Sequence, residues 1–242
     1  MKIGLLNAYV CDPDPTSFQH QYGPMFQDFF TKNISKEWSL VEYTVSQNRW
    51  PGSLHDCDGW IISGSPKGVF DRHSWIMKLM EFACACHQNK KPLLGICFGH
   101  QVIAQCLGGG VHKSLKGWNL GIRDIKVRNP KAWMTPPLES CSLIYSHQDE
   151  VKMPPDRAVL LGGDAHYFHQ MYAIGEHIFS IQGHPEFTPE FLRTRLEAIK
   201  AGISEADYQE ALSTLERPID TAIIGQWIQQ FFRAQIEPEI CS

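Results

Sequence analysis

The chain has 242 residues, 43% of them hydrophobic and 20% charged, which suits one large globular domain or one domain with an appendage. A formal net charge of -4 removes the electrostatic case for nucleic acid or an anionic membrane as partner. No run approaches the ~18 apolar residues of a membrane helix, and "MKIGLLNAYVCDPDP" meets Asp and Pro too early for a signal peptide; a soluble, cytoplasmic protein is expected.

In chain order, "KIGLLNAY" reads as a strand and "SFQHQYGPMFQDFFTKN" as a helix. "SLVEYTV" and "GWIISG" follow as strands, "WIMKLMEFACACHQN" as a helix and "PLLGIC" as a strand. Their apolar runs lack strict alternation, so both faces of these strands are expected to be buried. That predicts an α/β fold with a mostly parallel central sheet flanked by helices. The middle changes character: "GIRDIKV", "SLIYSHQDE", "AVLLGG" and "MYAIGEHIFSIQGHPE" are strand-like with short connections, the last a hairpin turning at Gly175-Glu176. They predict either a mixed sheet edge or a small antiparallel layer. From Thr188 onward "TPEFLRTRLEAIKAG", "SEADYQEALSTLE" and "PIDTAIIGQWIQQFFRAQ" read as helices, the first with Pro189 in its opening turn. The expected organisation is a main unit over 1–187 with a helical extension over 188–242 packed on the same domain. Trp227, Phe231 and Phe232 share one helical face, which suits core packing or a dimer contact.

Eight cysteines raise the question of metal, but none forms a Cys-x2-Cys pair. "CACH", Cys84 to His87, sits in a helical run where residues two apart point away from each other, which favours buried thiols. His166 and His169 are three apart, a spacing that could hold a metal on a helix; no third ligand is evident, and a loop beside the hairpin is favoured. No metal and no cofactor is expected.

"LLGICFGHQ", Leu93 to Gln101, puts Cys97 between Gly95 and Gly99 where a strand meets a helix. Small neighbours at such a junction allow a sharp turn that presents a nucleophile, and the helix N-terminus beyond it favours an anionic sulfur. The Phe98 amide could meet a developing oxyanion. A small cysteine buried in a glycine turn would look the same in this stretch alone. "IFSIQGHPEF" adds His184-Pro185-Glu186 at a strand end. Proline biases His184 toward extended backbone, where residues two apart project to one side, so Glu186 can hold one imidazole nitrogen and leave the other for a thiol. His100 could compete as base, but a strand end opposite suits His184 better. "GWIISGSPKGVFD" runs a third strand into Ser63-Gly64-Ser65-Pro66, an ordinary turn or one offering backbone amides. Each piece follows a strand, so all can collect at one sheet edge.

The ordered set "SGSP", "GICFGHQ", "YSHQDEV" and "QGHPEF", spread over roughly Met1 to Phe187, resembles the class I glutamine amidotransferase family. It is most similar to stand-alone members of the GMP-synthase-like or γ-glutamyl peptidase type. The resemblance implies a flavodoxin-like fold. It also implies Cys97 as nucleophile, His184 as base and Glu186 as orienting carboxylate. The amides of Ser65 and Phe98 would form the oxyanion hole, with Gly64 shaping that loop. Gln101 and the stretch Ser146, His147, Gln148 and Asp149 would hold a γ-glutamyl head group, although His147 could instead brace its own loop through Asp149.

Two departures stand out. Many members have Gly-Gly-Pro where this chain has Gly64-Ser65-Pro66, and GMP synthases usually follow the cysteine with Tyr-Gly-Met-Gln rather than Phe98-Gly99-His100-Gln101. The stretch after Phe187 is short for an ATP-pyrophosphatase domain and has no Gly-rich phosphate loop, so this chain alone is not expected to be a complete GMP synthase. The expected reaction is hydrolysis of a γ-glutamyl amide through a glutamyl thioester, from glutamine or from a γ-glutamyl peptide. The alternatives are a glutaminase subunit silent without an ammonia-accepting synthetase, and a binding module without activity.

Overall fold

The computed structural model describes residues 1–9 and 21–236. Its main sheet has nine strands in the order β2-β1-β3-β4-β11-β10-β9-β6-β7. One half is built from β1 (Lys2–Leu6), β2 (Ser39–Tyr43), β3 (Gly59–Ile62), β4 (Leu93–Ile96) and β11 (Ile178–Ile181), all paired in parallel. Every residue of β3, β4 and β11 is buried, as expected of strands covered on both faces. The strand order of this half is the flavodoxin-like one.

The other half continues the same sheet in antiparallel fashion through β10 (Met171–Ile174), β9 (Ala158–Gly163), β6 (Asn119–Val127) and β7 (Ser140–His147). A separate two-stranded layer pairs β5 (Gly110–Lys113) with β8 (Asp149–Met153). Both sequence readings of the middle region therefore apply, a mixed sheet and a small antiparallel layer. Two details differ from the sequence reading. "SLIYSHQDE" is not one strand: it breaks at Gln148, and its halves enter different sheets. The strand β5 has no alternation to announce it and exists because β8 pairs with it.

The helix α1 (Tyr22–Phe29) runs into a π-turn over Phe30–Ile34; the earlier part of the helical run expected from Ser17 lies outside the described residues. The helices α2 (Ser74–Gln88) and α3 (Phe98–Cys106) flank the parallel half. The C-terminal elements are α4 (Pro189–Ile199), α5 (Glu205–Ser213) and α6 (Thr221–Ile236). Thr188 caps α4 by accepting from the Phe191 N–H at 3.2 Å, with Pro189 in the first turn. Along α6, Ile224, Trp227, Ile228, Phe231 and Phe232 are fully buried at helical spacing and join the core cluster that contains Ile3 and Leu5. Each such side chain contributes about 1.5–3 kcal/mol by leaving water. Trp227, Phe231 and Phe232 are thus core, with no surface left for a dimer contact.

Cys84 donates its S–H to the Cys106 carbonyl at 3.3 Å, and Cys86 is fully buried on the same helix, α2. His166 and His169 lie in the loop between β9 and β10, where the His169 ring meets the Val151 carbonyl at 3.1 Å. Among the described residues, no group of three His, Cys, Asp or Glu side chains is gathered for a metal, and no helix is long and apolar enough to cross a membrane.

Candidate active site

β3, β4 and β11 lie side by side, and the segment after each carries one of the motifs read from the sequence. Ser63-Gly64-Ser65 follows β3, Cys97 follows β4, and His184 follows β11. The carboxyl ends of parallel strands in an open α/β sheet form a crevice, so three distant stretches meet.

Cys97 stands at the turn with φ 50° and ψ -100°, a left-sided conformation rare for a side-chain-bearing residue. Its backbone is held from both sides. The Cys97 N–H donates to the Ile181 carbonyl at 2.9 Å, and the Gly99 N–H donates to the Ser63 carbonyl at 3.2 Å. The flanking glycines are steric requirements. A Cβ on Gly99 would lie 2.4 Å from the Ile62 carbonyl oxygen, and one on Gly95 would lie 2.7 Å from Gly99. The helix can start this close to β3 only with hydrogen at both positions.

His184 is buried, and its N–H donates to the Ile144 carbonyl of β7 at 2.8 Å. Its ring stacks on Phe187 at 3.8 Å between centroids, and its Nδ1 meets Glu186 Oε1 at 2.8 Å. The Cys97 side chain is near enough to act on the charge of its ring. Burial works against an imidazolium here, but the Cys97 and Glu186 charges and their hydrogen bonds outweigh it and hold His184 up at about 10. Glu186 also accepts from the Tyr22 hydroxyl at 2.9 Å, and that hydroxyl accepts from the Gly64 N–H at 3.0 Å.

A cavity of about 350 Å³ opens in front of the sulfur. Of the residues singled out in the sequence, Ser65, Cys97, Gln101, Ser146, His147, Gln148 and Asp149 line it. Gly64, Phe98, His184 and Glu186 sit behind that lining. The Gly64 N–H is engaged by Tyr22, whereas the Ser65 and Phe98 N–H groups donate to no other group among the described residues. Gln101 reaches across to the Asp149 carbonyl at 2.9 Å and to Gln182 Oε1 at 3.2 Å. The Gln148 carbonyl accepts from the Ser114 N–H at 2.9 Å.

His147 has both ring nitrogens engaged by protein. Its Nδ1 meets the Asp149 carbonyl at 2.9 Å and its Nε2 meets Asn119 Nδ2 at 3.0 Å. An amide nitrogen can only donate, so Nε2 accepts and Nδ1–H donates. Burial pushes His147 down to about 4, with the nearby His184 adding to the shift, so the ring is neutral and its two bonds are consistent. His100 is likewise engaged, by Ser180 Oγ at 2.7 Å and the His169 carbonyl at 3.0 Å; burial pushes it down to about 3. Neither competes with His184 for the thiol.

Residues 26–199 match the model of the glutamine amidotransferase class-I family. The chain belongs to that family. It is 34% identical over 229 residues to γ-glutamyl peptidase 3 of Arabidopsis thaliana, covering 90% of this chain and 92% of that one. It is 30% identical over 166 residues to a glutamine-hydrolysing GMP synthase subunit of Saccharolobus solfataricus, covering 68% of this chain and 86% of that one. A glutamine amidotransferase of Thermotoga maritima has the same fold, with a TM-score of 0.74 at 17% identity over 97% of this chain and 98% of that one.

This amidotransferase-family chain also brings residues to the site that its sequence does not announce. Tyr22 is one. Arg195, in the second turn of α4, lines the cavity and points Nε at Ser146 Oγ at 3.4 Å; Lys113 and Trp118 line the cavity too. The helix start at Thr188, two residues after Glu186, is the one signal that could have placed Arg195 here. The cavity thus carries cations in Lys67, Lys113 and Arg195 opposite anions in Asp71 and Asp149. Burial pushes the Asp149 carboxyl up, and Lys113, its pairing neighbour between β5 and β8, pulls it back.

Proposed function

We propose that this protein hydrolyses γ-glutamyl amides through a covalent thioester on Cys97. The observation that carries the reading is the side-chain chain Cys97–His184–Glu186, set behind a cavity that, of the three, only the sulfur enters. The thiolate attacks the γ-carbonyl carbon, and the N–H groups of Ser65 and Phe98 receive the oxygen that becomes negative. The carbon–nitrogen bond breaks as His184 gives its proton to the leaving amine. Water then attacks the thioester, His184 takes a proton from that water, and glutamate leaves as the sulfur is restored. No step calls for a metal or organic cofactor.

The polar lining suits a γ-glutamyl head group, which carries an ammonium and a carboxylate at its α-carbon. Asp149 would take the first and Arg195 the second. A cavity of about 350 Å³ admits such a head group. The match to a γ-glutamyl peptidase runs over 90% of the chain, which favours a peptide leaving group. The match to a GMP synthase subunit, over 68% of the chain, supports a second reading in which glutamine is the donor and a synthetase receives the ammonia.

The test is glutamate release from glutamine, glutathione and simple γ-glutamyl amines, with Cys97→Ala as control. Wild-type activity on one of these, lost by at least ~10³-fold in Cys97→Ala, with a glutamyl adduct on Cys97 in mass spectra, supports the reading. Full activity of Cys97→Ala would eliminate it. Activity on glutamine that appears only when a synthetase is added would select the second reading.

A further inference from the structure

Tyr22 is separated from Glu186 by 164 positions, yet its hydroxyl lies between that carboxylate and the Gly64 backbone. The direction of both bonds is forced. A backbone N–H can only donate, so the phenol oxygen accepts from Gly64; an ionised carboxylate can only accept, so the phenol proton points at Glu186. One oxygen of Glu186, Oε1, meets His184 Nδ1 at 2.8 Å and the Tyr22 hydroxyl at 2.9 Å, while Oε2 is buried with no hydrogen-bond partner among the described residues. The orientation of the carboxylate is therefore decided by two contacts at one atom.

We propose that Tyr22 is a positioning residue that locks the orienting carboxylate Glu186 and the oxyanion loop at Gly64-Ser65 into a single rigid unit. The proposal rests on the hydrolytic reading of Cys97, His184 and Glu186, and adds a coupling between the proton-transfer side of the site and its oxyanion side. The ring is well placed for such a role. It is 1% exposed, stacks on Tyr9 at 4.3 Å between centroids with planes 17° apart, and stands edge-on to Phe187 at 6.2 Å. Phe187 is the same ring that stacks on His184, so one aromatic column holds both partners of Glu186. On the other side, a Cβ on Gly64 would lie 2.8 Å from His184 Cε1 and 3.3 Å from the Tyr22 oxygen, so the loop is packed against both. Burial and the Glu186 charge push the Tyr22 phenol well above its ordinary range, so it is a neutral hydroxyl and a donor around neutral pH. Without the hydroxyl, Glu186 is free to rotate off His184, and the Gly64 N–H loses its acceptor inside the protein.

The experiment is Tyr22→Phe, which keeps the ring and removes both bonds, read with glutamine or the best γ-glutamyl donor. The expected result is a fall of about 10- to 100-fold in kcat with KM within about twofold. A Glu186→Gln/Tyr22→Phe double variant should lose clearly less than the product of the two single losses, because Tyr22 acts in part through the same carboxylate. A substrate-free readout accompanies these: the rate of Cys97 alkylation by iodoacetamide against pH should move to higher pH in Tyr22→Phe, since a rotated carboxylate holds the imidazolium less well. Replacing Tyr22 by fluorotyrosine, which keeps shape and both bonds, guards against a folding defect; kcat should stay within about threefold of wild type. Wild-type kcat in Tyr22→Phe, an alkylation profile unmoved or shifted to lower pH, or multiplicative losses in the double variant would overturn the proposal. If the wild-type chain releases no glutamate from any donor, the hydrolytic reading fails, while the alkylation profile still reports on the Tyr22 link.

Discussion

Two buried histidines belong to one site, His147 in the lining of the cavity and His184 behind it, and their protonation runs in opposite directions. His184, on the parallel side, faces Cys97 and Glu186 and is held up at about 10. His147, on the antiparallel side, faces the Asp149 carbonyl and the Asn119 amide and is pushed down to about 4. Burial opposes the charged ring in each case, so it cannot be what separates them. The neighbours are. Anions hold one buried imidazole protonated, and neutral dipoles hold the other neutral as a rigid strut. The sheet enforces the division: the paired strands β4 and β11 bring Cys97 and His184 together, while β7 and β8 part at Gln148 and leave His147 bracing the bend.

The largest expected effect tests that division directly. His184→Ala removes the imidazole between Cys97 and Glu186 and should lower kcat by about 10²–10⁴-fold, with a loss of stability as well because the buried Glu186 carboxylate is left without its imidazole. His147→Ala should lower kcat by less than ~10-fold, yet destabilise the fold by about 1–3 kcal/mol, because the Asn119 amide and the Asp149 carbonyl lose a buried partner. Turnover and urea unfolding measured on both variants decide it. A reversal, with His147→Ala the more severe for turnover, would break the comparison.

A smaller effect sharpens the antiparallel wall. Arg195 is charged, lines the cavity and is steered by Ser146, so Arg195→Met should raise KM for glutamine about tenfold with kcat within about threefold. The same substitution should leave the weaker hydrolysis of 4-aminobutanamide, which lacks the α-carboxylate, unchanged. Equal losses on both donors would remove Arg195 from substrate recognition.

What is legible in the sequence follows the same line through the molecule. Cys97, Gly64 and His184 each sit at the end of an apolar strand with a glycine or proline beside them, so local chemistry marks them. Tyr22, Asn119 and Arg195 carry no such mark, since their partners lie 164, 28 and 49 positions away and are supplied by the fold. The strand β5 escapes sequence reading for a related reason: Gly110–Lys113 has no pattern of its own and is ordered by β8. The break at Gln148 is hidden because no glycine or proline marks it in "SLIYSHQDE", and only pairing assigns the halves to different sheets. The helical face of α6 is open in sequence between core and dimer contact, and burial of Trp227, Phe231 and Phe232 decides for core.

The smallest expected effect concerns acid. His100 and His147 are buried and neutral, pushed down to about 3 and about 4 from an ordinary value of 6.5. As pH falls below about 6.5 the unfolded chain takes up protons at these positions and the folded chain does not. Proton uptake by the unfolded state favours unfolding, so their contribution is present in full above that pH and is lost as pH falls toward 4 and then 3. Each histidine adds a slope approaching about 1.4 kcal/mol per pH unit within its window. His184 is raised, so it is protonated in both states across this acid range; what it contributes is present below about 6.5 and lost as pH rises through about 10. Urea unfolding between about pH 4.5 and 6 should therefore show a shallower slope in His100→Gln than in wild type, by about one proton's worth. An unchanged slope in that variant would mean that His100 is charged in the folded protein, and that the Ser180 hydroxyl and the His169 carbonyl both accept from its ring.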